Sequence, residues 1–296
     1  MFKKGKLILE QRVTVDGNDY LRCTLKSFDT NDYYMNIFKE NQYQPDSKLY
    51  EKALALNGKY VLVEYMSLSN FTMNDPIEVS ETEGVGVNIN TNTLKDSLRG
   101  QIKNLETKEY KVFINEIFSR NDVSTKFFEC PASEREGYSY KGGLLHKTVN
   151  MLTMIDCLTE YLLESIDFNI ELLKVLAITN SIGKVNAYDI VDNVVERTAL
   201  GKHFNDKELS AQLLTEELLK HNNLSPEEKN IILHTALRDD TIKGRSNTAK
   251  TKETMIITSF NYIDDMISSF VILKQNKLND ERFMTFNKQE LYTGNL

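Results

Sequence analysis

The chain has 296 residues, with 36 Lys+Arg against 43 Asp+Glu for a formal net charge of −7, 41% hydrophobic residues, and only 4 Pro and 13 Gly. That composition excludes collagen-like and disordered classes, and the length suggests about two domains of ~100–200 residues each. The acidic total argues against bulk coating of duplex DNA while leaving room for a local basic groove.

The amino-terminal stretch MFKKGKLILEQRVTV has a basic tip, but its apolar run is only Leu7, Ile8 and Leu9, so it does not read as a signal peptide. No run of ~18 consecutive apolar residues suggests a membrane span. Cys23, Cys130 and Cys157 are far apart and odd in number, which fits buried thiols in a reducing cytoplasm, the expected location. The high Asn, Lys and Ile content hints at an AT-rich bacterial or phage genome.

Residues 7 to about 80 read as short strands. LILEQRVTV, DYLRCTLKSF, YYMNIF and KYVLVEYM carry β-branched or aromatic residues and are separated by DGND, DTND and LNGK turn chemistry, with a polar loop at 40–52. About five strands in 80 residues suggests an OB-like β-barrel over 1–84. The Gly/Asn/Thr-rich stretch 84–93, GVGVNINTNT, reads as a linker, bounded at 85–93.

From Leu94 to residue 296 the pattern is helical, so the expected fold class is α+β: an N-terminal OB-like barrel followed by an all-α domain. Leu98, Ile102, Leu105, Val112 and Ile117 lie near helical spacing. GLLHKTVNMLTMIDCLTEYLLESI predicts a longer helix, and ELLKVLAITNSIG predicts one capped at Gly183. Ser225-Pro226-Glu227-Glu228 predicts a helix start, with an N-cap, Pro at the first position and acidic first-turn residues. Residues 250–273 predict the last long helix. No repeat or low-complexity tract is visible.

Phosphate-binding glycine loops, nucleophile elbows and Cys-x-x-Cys pairs are absent from the sequence, which has four histidines: His146, His203, His221 and His234. Their order carries more information. KFFECPASEREGYSYKGGLLHKTVNML (126–152), LLKVLAITNSIGKV (172–185), LGKHF (200–204), ILHTALRDD (232–240), NYIDDM (261–266) and the closing RFMTFNKQELY together resemble the YhaM-type HD-domain 3′–5′ exoribonucleases, which carry an N-terminal OB-fold. The F-F-x-x-P-A segment, its following G-L and the spacing to the Gly-Lys turn carry most of the likeness.

The resemblance implies an HD-type helical domain in which histidines, a His-Asp pair and a final Asp hold a divalent metal. Such ligands suit Mn²⁺-type ions, whose bound water becomes a nucleophile at neutral pH. Position by position this sequence departs from that pattern. Lys147 stands at the first histidine, Asn180-Ser181 at the His-Asp pair, Lys202 at the next histidine, and Asp239-Asp240 at a later His-His pair; Asp264 keeps the terminal acid. His146 and His203 are each displaced by one residue, and a one-residue slip on a helix turns a side chain by ~100°.

A degenerate, non-cleaving member with no metal is therefore expected, with the charge of Lys147 and Lys202 replacing a cation among Asp239, Asp240 and Asp264. The alternative is an active Mn-dependent exonuclease with fallback ligands His146, His203, His234 and Asp264. The resemblance also implies a homo-oligomer. Single-stranded nucleic acid is the expected partner, with Tyr33, Tyr34, Arg22, Lys26 and Lys39 on the barrel and Lys243, Arg245 and Lys250 in the loop after 238 as candidate contacts. Tyr33 and Tyr34 are adjacent on a strand, so they point to opposite faces. Other barrel aromatics with the same potential are Tyr20, Phe28, Phe38, Tyr65 and Phe71. A host protein is the alternative partner, and no membrane partner is expected.

Overall fold

A computed structural model describes residues 1–13, 19–27, 31–39, 48–82, 89–134, 137–162, 168–191, 194–238, 248–275, 283–286 and 289–292. The chain is mixed α+β and divides into two compact units: residues 1–86 with 192–194 and 270–296, and residues 87–191 with 195–269.

The first unit is built on five strands, β1 (Phe2–Val13), β2 (Asp19–Ser27), β3 (Asp32–Phe38), β4 (Tyr60–Ser69) and β5 (Thr72–Glu81). Helix α1 (Lys48–Ala55) lies between β3 and β4 in the chain, where the sequence suggests a polar loop. The strand order is β1-β2-β3-β5-β4, and β4 returns to pair with β1. The neighbours are antiparallel except β3 and β5, which meet through one parallel pair, Tyr34 and Thr72. The result is a five-strand sheet curled on itself and joined by one rung, rather than an evenly bonded cylinder.

Strand parity explains the core. Leu21, Cys23, Leu25, Tyr33, Met35 and Ile37 point inward with Leu7, Val61, Val63 and Val79. The even-numbered residues of β2 and β3 point outward. Gly5 lies where β1 must serve both β2 and β4, and a Cβ there would come 2.4 Å from the Lys26 carbonyl oxygen. Two short strands, β8 (Phe283–Phe286) and β9 (Gln289–Tyr292), form a separate hairpin within the RFMTFNKQELY segment.

The second unit is mostly helical. Its helices are α2 (Thr91–Lys103), α3 (Lys108–Ser119), α4 (Asn121–Ser124), α5 (Gly143–Leu162), α6 (Ile170–Thr179), α7 (Lys184–Ala187), α8 (Ala199–His203), α9 (Asp206–Leu218), α10 (Pro226–Leu237) and α11 (Lys252–Gln275), of which residues 252–269 belong to this unit. Between α7 and α8 the strands β6 (Tyr188–Val191) and β7 (Val194–Arg197) form a two-stranded sheet, so the region after Leu94 is not all-α. What reads as one helical stretch over 94–120 is two helices, because Asn104 ends α2 and Thr107 opens α3; Val112 is accordingly exposed while Phe113, Ile114 and Ile117 are buried. Helix α2 already starts at Thr91, with Asn90 capping it through the Thr93 amide, inside the expected linker.

Helix α6 is the central element: Leu172, Leu173, Val175, Leu176, Ala177, Ile178 and Thr179 are all buried. A helix apolar on all sides belongs inside a core. Helix α10 begins as expected with Ser225 as N-cap, Pro226 and acidic first-turn residues, and Ser225 and Glu228 further form a capping box in which each side chain accepts from the other's backbone amide.

Gly183 does not cap α6, which ends at Asn180; it opens α7 with an ordinary φ of −63°. Glycine is needed there for closeness, since a Cβ would lie 2.2 Å from the Ser210 amide nitrogen and 2.4 Å from the Asp206 carbonyl oxygen. Of the cysteines, Cys23 and Cys130 are buried and Cys157 is exposed, against the expectation of three buried thiols. By length and composition α11 is apolar enough to cross a membrane, a property that core helices of soluble proteins share.

Gly183→Ala should destabilise the protein by about 2 kcal/mol or more, the range for overpacking a tight contact. Urea unfolding checks this, and an unchanged midpoint would contradict the close approach.

Candidate nucleic-acid interface and buried polar cluster

The first candidate site is the outer face of β1–β3. Pairing places Glu10 beside Arg22, Arg12 beside Tyr20 and Lys6 beside Lys26 on β1 and β2. On β2 and β3 it places Tyr20 beside Phe38, Arg22 beside Asn36, Thr24 beside Tyr34 and Lys26 beside Asp32. Tyr20 and Phe38 stack with ring centroids 5.3 Å apart, and Phe38 and Tyr34 remain 38% and 42% exposed.

This surface combines flat aromatic faces with the cations Arg12, Arg22 and Lys26. Arg12 is engaged by Glu10 at 2.7 Å, and Lys39 lies 3.6 Å from Asp19 at the end of β3. Tyr33 points inward and is buried, where it meets the exposed Phe71 edge-on at 5.9 Å. Tyr65 is buried as well, and Phe28 lies outside the described residues.

The second candidate site lies in the helical unit. Lys147, on α5, is buried and donates to Asp265 at 2.5 Å. Its neighbour Asp264 is 3% exposed; Tyr138 donates to its Oδ1 at 2.6 Å and Asn150 at 3.4 Å, while Oδ2 has no hydrogen-bond partner. Burial pushes the Asp264 carboxyl above its usual range, only partly opposed by the Tyr138 hydrogen bond and the Lys147 charge.

Asn180 binds back to the Leu176 and Ala177 carbonyls and receives Asn261 and Ser181 at its own oxygen. It thereby ends α6 and ties the turn to α11. Lys184 pairs with Asp206 at 2.6 Å. Burial alone would lower the lysine, but Asp206, Tyr188 and Asp265 more than offset it, so its pKa is raised. Burial likewise opposes ionisation of Asp206, yet Lys184 holds that carboxyl below its usual range.

The ammonium groups beside the carboxylates are thus Lys147 and Lys184. Lys202 is on the surface of α8 and does not enter the cluster, and Asp239 and Asp240 lie outside the described residues. The Gly183-Lys184 turn is part of the resemblance, but the pairing of Lys184 with Asp206 went unrecognised because no sequence motif links the two residues. Asn261 and Asp264, three apart in NYIDDM, offered the one local signal for a shared helix face.

The histidines are dispersed. His146 is half-buried, its Nδ1 sharing a hydrogen bond of 2.7 Å with the Tyr140 hydroxyl, and burial lowers its pKa. His203 is exposed. The Nε2 of His234 accepts from the Lys250 amide at 3.1 Å; burial, then Lys250 and Arg238, lowers its pKa. Lys250 is exposed, whereas Lys243 and Arg245 lie outside the described residues.

Among the described residues, the group of three or more side chains close enough to share a metal is Glu116, Glu217 and His221, not His146, His203, His234 and Asp264. There His221 Nε2 lies 2.9 Å from Glu116, while Glu217 is already engaged by Arg120 at 2.6 Å and Lys220 at 2.8 Å.

The charges predict opposite pH responses. The Lys184–Asp206 contribution should be full between about pH 4 and pH 10 and lost as acid protonates Asp206 or alkali deprotonates Lys184. Lys184→Met alone should cost about 3 kcal/mol or more, and adding Asp206→Leu should recover much of that loss in a double-mutant cycle. Asp264 has the reverse sign. Its raised pKa makes the ionised form costly, so stability falls as pH rises from about 4 through its native value. Asp264→Asn should therefore be relatively more favourable at pH 8 than at pH 4.5; equal unfolding differences at the two pH values would refute that assignment.

No protein-family model, curated protein or solved structure matches the chain.

Proposed function

We propose that this chain is a catalytically degenerate relative of the YhaM-type exoribonucleases that binds single-stranded nucleic acid, as a homo-oligomer, without cleaving it. The observation that carries the reading is the outer face of β2 and β3, where Tyr20, Tyr34 and Phe38 lie among Arg22 and Lys26. OB-type domains bind oligonucleotides on the face of their second and third strands, stacking bases on aromatic rings beside backbone-tracking cations. The strand order β1-β2-β3-β5-β4 supports the OB-type reading of the first unit.

The helical unit supports the degenerate half of the reading. At positions where the resemblance implies metal ligands stand a lysine already paired with Asp265 and an asparagine whose polar groups are committed to the backbone, Ser181 and Asn261. A protonated lysine cannot ligate a metal, and its charge offsets neighbouring carboxylates that a cation would otherwise neutralise.

A 5′-labelled single-stranded RNA and a matched DNA, each with and without Mn²⁺, test the reading on one native and one denaturing gel. A mobility shift without shortening is expected. Tyr34→Ala and Phe38→Ala should each weaken binding about fivefold or more, since a stacked base contributes ~1–3 kcal/mol. Affinity should also fall steeply with salt. Metal-dependent shortening would overturn the non-cleaving assignment, and absence of any shift would overturn nucleic-acid binding in favour of a protein partner.

A further inference from the structure

Helix α11 has two unlike faces. Thr254, Ile257, Thr258, Asn261 and Asp264 are buried, and Ile257 belongs to the core of the helical unit. The other face carries Met255, Ser259, Tyr262, Ile263, Met266 and Ile267, and its five apolar side chains are 45–58% exposed. The spacing of these six residues (4, 3, 1, 3, 1) repeats the helical period, so they form one continuous stripe. Scattered exposed apolar residues need no explanation, whereas a continuous stripe is comparable to the largest apolar patch of a typical monomer, which is often functional.

We infer that the Met255–Ile267 stripe of α11 is a two-fold contact between copies of this chain, with α11 of one copy packed along α11 of another. Area supports a second copy as the occupant. The five apolar side chains leave on the order of 500 Å² in water per copy, so pairing the stripe with itself removes at most about 1,000 Å² in all, and the residues flanking it must supply the rest of a specific interface.

The charge pattern agrees. The stripe bears no ionised side chain, so it has no charge with which to select a differently charged partner, whereas an uncharged apolar strip is complementary to itself across a two-fold axis. Asp265, at the margin of the stripe, already has its charge met by Lys147 within the same chain and brings no unbalanced charge to the contact. Methionines near both ends suit the surface to helix-on-helix packing, because their unbranched chains fill irregular gaps.

This inference deepens the oligomeric part of the proposed function and rests on it, but does not depend on nucleic-acid binding. The test is the mass of the full chain in solution by light scattering, from about 1 to 100 µM, for the unaltered protein and for Ile263→Glu/Ile267→Glu. Both substituted positions are half exposed, so circular dichroism should remain unchanged.

The expected result is a dimer or larger species that falls to monomer, or dissociates at least tenfold more readily, in the double variant. A second readout uses Ser259→Cys in a Cys157→Ser background, where a short bismaleimide should join two copies through the new thiol. Three results would overturn the inference: a monomeric unaltered protein at 100 µM, an oligomer indifferent to both glutamates, or a monomer whose stripe instead carries it onto neutral phosphatidylcholine vesicles. Oligonucleotide shifts run on the same samples separate the two readings. A monomeric variant that still shifts RNA or DNA leaves nucleic-acid binding intact, and a dimer that shifts neither refutes nucleic-acid binding while leaving the interface.

Discussion

Burying lysine in a helical core is tolerable only when an acid comes with it, and that requirement organises the second unit. Lys184 is held by Asp206 at the start of α9, and Lys147 by Asp265 on α11. Each pair ties together separate elements, so losing the acid would leave a largely buried ammonium unpaired. The same region fixes Gly183, which allows the turn before Lys184 to lie against the first turn of α9. The charges and the close approach are one constraint, because the lysine reaches Asp206 only if the backbone comes that near.

Asp264 differs from its neighbours. It is more deeply buried than Asp265, and one of its oxygens remains without a hydrogen-bond partner although Tyr138 and Asn150 serve the other. Such a carboxyl is expensive to ionise, and the proximity of Lys147 offsets only part of the cost. Helix α11 turns a buried polar row, Thr254, Thr258, Asn261 and Asp264, toward the core and an uncharged apolar row toward solvent. In the first unit the organising rule is simpler: alternation along β2 and β3 sends Leu21, Cys23, Leu25, Tyr33, Met35 and Ile37 inward and leaves Tyr20, Arg22, Lys26, Tyr34 and Phe38 on the opposite face.

Elements whose signal is local were legible in the sequence. Four of the five strands show as β-branched or aromatic runs between turn residues, and the start of α10 shows as Ser225-Pro226 followed by acids. Tyr33 and Tyr34 had to face opposite ways because the strand period is two, and the structure leaves Tyr34 as the exposed ring. Readings that depended on tertiary neighbours fared differently. Gly183 looked like a cap because glycine commonly ends helices, yet its role is close contact with a helix more than 20 residues later. The stretch 94–120 looked continuous because its apolar spacing carries across the break at Asn104–Thr107.

By itself the sequence determined a β-rich first part and a mostly helical second part, and which lysines, acids and amides were on hand for a buried polar cluster. Periodicity and residue chemistry are properties of the chain, so they could be read along it. Only the tertiary structure decided which lysines meet which acids, pairing Lys147 and Lys184 with Asp265 and Asp206 and leaving Lys202 on the surface. It alone decided which face of α11 is wet, because a charge pair or an exposed stripe depends on what other elements bring within a few ångströms, and sequence distance does not encode that.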